Sequence, residues 1–194
     1  MELNGFKIIL ASGSPRRNAF FSALGIPFET KIIPVEESYP EHFKSVSIAD
    51  HIARKKAKPF EKIITKKELV ITADTIVWHN EKCLGKPKNN EDAIKMLNTL
   101  SGSTHQVITV VGFLTSEKWE SIYEISEVTF RKLTLNEITD YVKGGSPLDK
   151  AGSYGIQDPF GDAAILSISG SFTNIMGLPL ARVINKIQEI VNRS

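Results

Sequence analysis

Two arginines stand just inside a predicted helix start, in the run Ser12-Gly13-Ser14-Pro15-Arg16-Arg17. Basic residues there oppose the helix dipole, so they are poor choices for stability alone. A helix N-terminus offers free N–H groups and a guanidinium offers paired donors, so the combination suits an anion such as phosphate. The plainer account is a capped helix with two solvated arginines. Asp74 follows the apolar residues 69–72 and precedes the apolar residues 76–78. A carboxylate carried into an interior needs a cation, a metal or several N–H donors. An aspartate capping a turn at a strand end leaves the same local pattern. Glu36 and Glu37 form a second acidic group after Pro34-Val35, where a solvated loop charge is the ordinary outcome.

The basic run Arg54-Lys55-Lys56-Ala57-Lys58 lies on a helix whose other face is apolar. A solvated face is the default for such a run, yet Lys56 is four residues from Ile52 and so lies nearer the buried edge than Lys55. Gly85-Lys86-Pro87 holds a lysine between two backbone-restricting residues. It is not a Walker A loop, which needs an earlier glycine and a following Ser or Thr. Gly152-Ser153-Tyr154-Gly155-Ile156-Gln157-Asp158 is a glycine-rich loop carrying a polar amide, and alone it reads as surface. His42, His51, His79 and His105 have no zinc-ligand spacing. Cys83, the single cysteine, reads as an inert thiol. No nucleophile elbow is present.

The elements that position these residues are legible from periodicity. Residues 6–10 read as a buried strand, with Ser14 as N-cap and Pro15 as the first residue of a helix running to about Leu24. Residues 28–35 look extended, and a second helix spans about 47–60. A strand over 69–72 runs into Ala73-Asp74-Thr75 and continues over 76–78, with a turn at 79–82. A third helix covers about 90–100, with Glu91 and Asp92 in its first turn. Residues 107–114 and 123–130 read as strands. Thr134 and Glu137 make a capping box, with Leu133 and Ile138 placed as its staple. After Gly144-Gly145 a polar, glycine-rich stretch runs to about Asp162, followed by a strand over 163–168. A last helix from about Pro179 presents Val183, Ile184, Ile187 and Val191. Strands and helices interleave throughout, so the class is α/β with some antiparallel pairing.

Composition narrows the setting. The 194 residues suit a single domain or one domain with two lobes, and a chain of this size buries about 70% of its unfolded surface. With 24 basic and 22 acidic residues the net charge is +2, which gives no general pull toward nucleic acid or an anionic membrane. Anion recognition is therefore expected to be local. No apolar run approaches the roughly 20 residues of a membrane span, and the first residues lack the marks of a secretory signal. A reducing, cytoplasmic setting is expected.

Taken together, these segments resemble the Maf family of nucleotide pyrophosphatases. The resemblance starts at Leu10-Ala11-Ser12-Gly13-Ser14-Pro15-Arg16-Arg17 and continues through Ala73-Asp74-Thr75, Gly85-Lys86-Pro87 and Leu100-Ser101-Gly102 with His105, Val107 and Thr109. It then takes in Asp149-Lys150-Ala151-Gly152-Ser153-Tyr154-Gly155-Ile156-Gln157 and ends with Asn174, Gly177, Leu178 and Pro179. The motifs occur in order over nearly the whole chain. The fold it implies is a compact α/β domain over residues 1–194, similar to the ITPase fold, with a central mixed sheet, flanking helices and a cleft between two lobes. The implied activity is hydrolysis of a nucleoside triphosphate to the monophosphate and pyrophosphate with a divalent cation, Mg²⁺ or Mn²⁺. Arg16 stands where the branch acting on 7-methylguanosine triphosphate usually has tryptophan, which points to the branch that prefers dTTP and UTP.

Carried over by position, Asp74 is the implied catalytic acid–base group. Arg16, Thr75 and Gln157 are implied in base choice. Ser12, Ser14, Arg17, Lys56 and Lys86 are implied near the phosphates, and Glu37 with Asp74 near the metal, although the family's usual Asp-Glu pair is Glu36-Glu37 here. A homodimer is common among similar proteins, though no residue marks an interface. Removal of modified nucleotides is the implied purpose. The alternatives are the same chemistry on a modified purine, or a nucleotide-binding regulator of cell division with little turnover.

Overall fold

The computed structural model describes residues 2–193. Its strands are β1 (Lys7–Leu10), β2 (Phe28–Thr30), β3 (Glu68–His79), β4 (Lys82–Leu84), β5 (Thr104–Leu114), β6 (Trp119–Phe130) and β7 (Ile165–Ser169). Its helices are α1 (Pro15–Ala23), α2 (Val46–Ala57), α3 (Asn90–Leu100), α4 (Leu135–Lys143), α5 (Pro159–Ala164), α6 (Phe172–Ile175) and α7 (Leu180–Asn192). Short 3-10 turns cover Lys58–Lys62, Ser146–Asp149 and Ala151–Ser153. The sheet order is β2-β1-β3-β5-β6-β7, with β4 on β3. Strand β1 is parallel to β2 and β3, while β4 and β7 are antiparallel to β3 and β6. The mixed sheet with helices is the α/β class expected from the interleaved pattern. Two units divide the chain: Met1–Asp74 with Thr109–Glu124 and Gly177–Ser194, and Thr75–Ile108 with Ile125–Met176.

In the first unit, β1 is apolar on both faces because helices cover both. Ile8 and Leu10 join Phe21 of α1 and Val183, Ile187, Ile190 and Val191 of α7. Ile9 turns the other way, onto Ala57 and Phe60 at the end of α2 and in its 3-10 extension. That extension begins where Pro59 removes an N–H from the helix ladder, so α2 stops before the predicted residue 60. Strand β2 has three residues rather than eight, since β1 offers a partner only as far as Leu10, opposite Thr30.

Glu120 of β6 ties α7 to the sheet. Its carboxylate takes Lys186 Nζ at 2.8 Å, Lys118 Nζ at 3.0 Å and Arg193 Nη1 at 3.2 Å. The Lys186 hydrogen bond, more than any other contact, holds its pKa down at about 2. A carboxyl depressed on folding stabilises above its unfolded pKa, near 4.3, and that contribution is lost as pH falls through the folded value. The melting temperature should therefore fall between pH 5 and pH 2 less steeply in Glu120→Gln than in the parent. At pH 7 the substitution should cost about 1 kcal/mol, the partly exposed network being screened by solvent. Thermal melts of both proteins across that range check it.

The second unit is built on the ends of β3, β5 and β6. Asn80 and Glu81 both have positive φ (48° and 58°) in the two-residue turn between β3 and β4, as a tight hairpin requires. Helix α3 starts with Asn89 accepting the Asp92 N–H at 2.9 Å, and buries Ala93, Leu97 and Leu100. The predicted capping box opens α4: Thr134 and Glu137 cap each other's backbone. Between Asp149 and Ile165 the structure departs from the expected loop. Pro159 occupies the first turn of α5, which takes up Ala163 and Ala164, so β7 starts at Ile165. Helix α6 was also unforeseen. Ser171 caps it by accepting the Asn174 N–H at 3.2 Å. No helix among the described residues is long and apolar enough to cross a membrane.

Candidate active site

Alternation along β3 places the acid. Leu69, Ile71 and Ala73 face the side of α1 and α7, and Val70 faces Ala57 and Phe60. With a side-chain period of two, Thr72 and Asp74 continue the Val70 face, toward α2. The Thr72 hydroxyl donates to the Ala53 carbonyl of α2 at 2.9 Å. Three residues further along α2, Lys56 Nζ donates to Asp74 Oδ1 at 2.8 Å and to the Ala73 carbonyl at 3.3 Å. Two steps along a strand thus match one turn of the helix beside it. Asp74 does not cap a turn at a strand end; it lies in the middle of the twelve residues of β3.

Asp74 is 7% exposed. Burial pushes its carboxyl above the usual carboxylate range; Lys56 opposes that most, then Arg17, while Glu37 adds to the rise. Lys56 also meets Glu37 Oε1 at 3.1 Å, so two carboxylates converge on one ammonium. Glu37 comes from the irregular segment after β2 and is exposed. Glu36 beside it is exposed as well.

Arg17 is buried rather than solvated, at 8% exposure. Its Nε donates to the Gly177 carbonyl at 2.8 Å, and its Nη1 donates to the Ala73 carbonyl at 3.0 Å and to Ser12 Oγ at 3.2 Å. Burial pulls the guanidinium below its ordinary pKa, against the opposing charge of Asp74. Ser12 Oγ in turn accepts the Ser14 N–H at 3.3 Å. Ser14 holds the N-cap position of α1, but its side chain caps no helical N–H. The turn is therefore organised from below by Ser12 and Arg17. Arg16 beside it is half-buried. In this unit Ser12, Ser14, Arg17, Glu37, Lys56 and Asp74 form one connected hydrogen-bonded and ion-paired set.

Thr75, Lys86 and Gln157 belong to the second unit. Thr75 follows Asp74 on β3 and is half-buried, whereas Lys86 and Gln157 are exposed. The Gly152 N–H donates to the Gly85 carbonyl at 3.1 Å, which joins the lysine turn to the glycine-rich loop. Gly152 has φ +69° and an added Cβ would lie 2.6 Å from Val77 Cγ2, so glycine is required there. The Gly155 N–H donates to Tyr141 Oη at 3.3 Å, and that hydroxyl donates to Asp158 Oδ2 at 2.8 Å. Lys150, 8% exposed, reaches Asp149 at 2.8 Å and Asp158 at 3.6 Å. Sequence reasoning gave no role to Tyr141 or Asp158. They lie 17 residues apart on different elements, and no spacing signal links them.

The donor set fits a hydrated divalent cation rather than a closed protein cage. Among the described residues no three His, Cys, Asp or Glu side chains are grouped to hold a metal. Mg²⁺ ordinarily takes one or two carboxylates and fills its octahedron with water and substrate phosphates. Asp74 and Glu37, both already drawn to one cation, are of that type.

The Maf-like protein family model matches residues 7–190. The chain belongs to the Maf family. A dTTP/UTP pyrophosphatase of Flavobacterium johnsoniae is 46% identical over 190 residues, 98% of each chain. One of Bacteroides fragilis is 45% identical over 191 residues, 97% of this chain and 98% of that protein. The solved Staphylococcus aureus Ham1 protein is 17% identical with a TM-score of 0.47, covering 64% of this chain and 71% of that one.

Lys56 is the group that makes a buried Asp74 tolerable. In Lys56→Met the carboxyl loses its hydrogen bond and its largest opposing charge, and its pKa should rise further. Nucleotide hydrolysis at pH 7 should fall by about tenfold or more, with the acidic limb of the pH–rate profile displaced to higher pH. A profile of unchanged shape would show that the pair does not set the ionisation that limits hydrolysis.

Proposed function

We propose that this chain hydrolyses nucleoside triphosphates, dTTP and UTP in preference, to the monophosphate and pyrophosphate. The observation that carries the reading is the buried Asp74 carboxylate on Lys56, within a set of anion-seeking groups. The activity by which its Maf relatives are named supports it.

A triphosphate brings about four negative charges that must be offset while water attacks the α-phosphorus. Lys56 and Lys86 supply cationic side chains for the phosphates, and Arg17 adds its charge from beneath the turn. Ser12, Ser14 and the N-terminus of α1 take phosphate oxygens. Asp74 orients the attacking water and accepts its proton, a task suited to a carboxyl whose pKa burial has raised. Asp74 and Glu37 would hold the divalent cation, Mg²⁺ or Mn²⁺, which would offset phosphate charge and polarise the P–O bonds. Gln157 presents a donor and an acceptor to the O4 and N3–H edge of thymine or uracil, with Arg16 and Thr75 assisting. Cytosine reverses part of that edge and leaves polar groups unpaired.

The whole chain acts as one catalytic domain in the cytoplasm, and its purpose is to remove unwanted nucleotides from the pool. A panel of dTTP, UTP, CTP and 7-methylguanosine triphosphate with Mg²⁺, assayed for pyrophosphate, tests the reading. Release from dTTP and UTP well above the others is expected. Release confined to the methylated purine would overturn the roles of Arg16, Thr75 and Gln157. Nucleotide binding without release from any member would overturn the activity.

A further inference from the structure

The buried ring of His105 has no part in the chemistry above, and a phenylalanine would fill its place without burying polar atoms. His105 is 2% exposed and packs edge-on against Phe130 and Tyr154, with ring centroids 5.1 and 5.4 Å away. Its Nε2 lies 2.7 Å from Tyr154 Oη. Its Nδ1 is buried without a hydrogen-bond partner, so the ring's polar function is directed to that phenol. Burial above all, and then His79, drives its pKa down to about 3, so the ring is neutral at any working pH.

What Tyr154 anchors explains the arrangement. It directly follows two residues with left-handed backbone, Gly152 (φ 69°) and Ser153 (φ 65°). Left-handed geometry at a serine is strained and persists only where the surroundings enforce it. Ser153 is wholly buried, with its hydroxyl on Met96 Sδ at 3.2 Å, and the Gly152 N–H is held by the Gly85 carbonyl. Beyond Tyr154 come Gly155, Ile156 and then Gln157, whose side chain is exposed. The phenol is therefore the last buried hydrogen-bonding side chain before the amide.

We propose that the His105–Tyr154 hydrogen bond is a positioning device for base recognition, which fixes the strained turn so that Gln157 meets the nucleobase in one orientation. The proposal rests on the reading of Gln157 as a base-contacting residue. His105 and Tyr154 touch no reacting atom; they act through the loop. Loss of the bond should then weaken binding and base choice while leaving turnover of correctly bound substrate nearly intact.

Geometry supplies a discriminating series. A glutamine amide nitrogen reaches the place of a histidine Nε2, whereas an asparagine nitrogen reaches only that of Nδ1. Tyr154→Phe and His105→Asn should raise KM for dTTP and UTP about tenfold and lower the preference for dTTP over CTP about tenfold, the worth of one lost buried hydrogen bond. Their kcat values should stay within about threefold of the parent's, and His105→Gln should restore KM and base preference. Backbone amide exchange over residues 152–157 should rise in the first two variants and return to the parent level in the third. A fall in kcat with KM and base preference unchanged would overturn the proposal, as would equal damage from Gln and Asn. If the parent releases no pyrophosphate, the proposed function fails. The exchange series then decides separately whether the bond fixes the loop, and unchanged exchange in Tyr154→Phe and His105→Asn would overturn that.

Discussion

Asp74→Asn should lower pyrophosphate release by about 10³-fold, within the range found for removing a positioned acid–base group, and should at the same time raise the melting temperature. The first effect follows from the loss of the proposed proton acceptor. The second follows from the cost of burying charge. Asp74 is 7% exposed, and the balance of burial against Lys56 and Arg17 leaves its folded pKa above its ordinary value. A carboxyl raised on folding favours the folded state fully below its unfolded pKa, and that advantage is lost as pH rises through the folded one. Above the folded pKa, the ionised carboxylate is thus a net cost that a neutral amide of the same shape avoids. Lys56 keeps Glu37 and the Ala73 carbonyl as partners in the variant. Each kcal/mol gained corresponds to roughly 2–4 °C for a chain of this length. The difference should be largest at the alkaline end of the range and should shrink as pH falls and the parent's carboxyl takes up its proton. A variant that melts below the parent at pH 8 would show that the Lys56 pair outweighs the cost of burial.

Gly161→Ala should be the most damaging single methyl in the loop region. A Cβ at this position of α5 would lie 2.3 Å from the Gly155 carbonyl oxygen and 2.9 Å from that of Ile156. Both are backbone atoms, so no side-chain rotation relieves the contact. The helix or the loop must move, and overpacking of this kind costs about 3 kcal/mol, or roughly 6–12 °C in melting temperature. Because the displaced backbone leads into Gln157, KM for dTTP should rise in whatever fraction still folds. Gly85→Ala is the control. That glycine belongs to the lysine turn, yet a Cβ there meets nothing within 4 Å and its φ is ordinary. Its melting temperature should stay within a few degrees of the parent's. Equal damage at both positions would mean that α5 does not approach the loop closely.

The contrast between these glycines shows what the sequence can convey. Local signals were sufficient for β1, α3 and α4, since apolar runs, acidic residues in a first helical turn and a capping box act within a few residues. They were also sufficient to mark Asp74 as a carboxylate in an apolar setting, and Lys56 as nearer the buried edge of its helix than Lys55. They could not pair the two, because the match of two strand steps to one helical turn exists only once β3 and α2 are side by side. Arg17 has the same history. In the sequence it is one of two helix-start arginines, and in the fold Gly177, 160 residues away, accepts its Nε. The glycine-rich loop was legible as composition but not as structure. Helices α5 and α6 have six and four residues, too few for a periodic signal, and the left-handed Ser153 is held by tertiary packing rather than by residue preference.

Attack by water on the α-phosphorus is the central step, and the fate of labelled oxygen reports it directly. In ¹⁸O-water with Mg²⁺ and dTTP, the label is expected in dTMP, with the pyrophosphate unlabelled and the reaction lost in Asp74→Asn. Label in pyrophosphate or inorganic phosphate instead would contradict the account, since it would place the attack on another phosphorus.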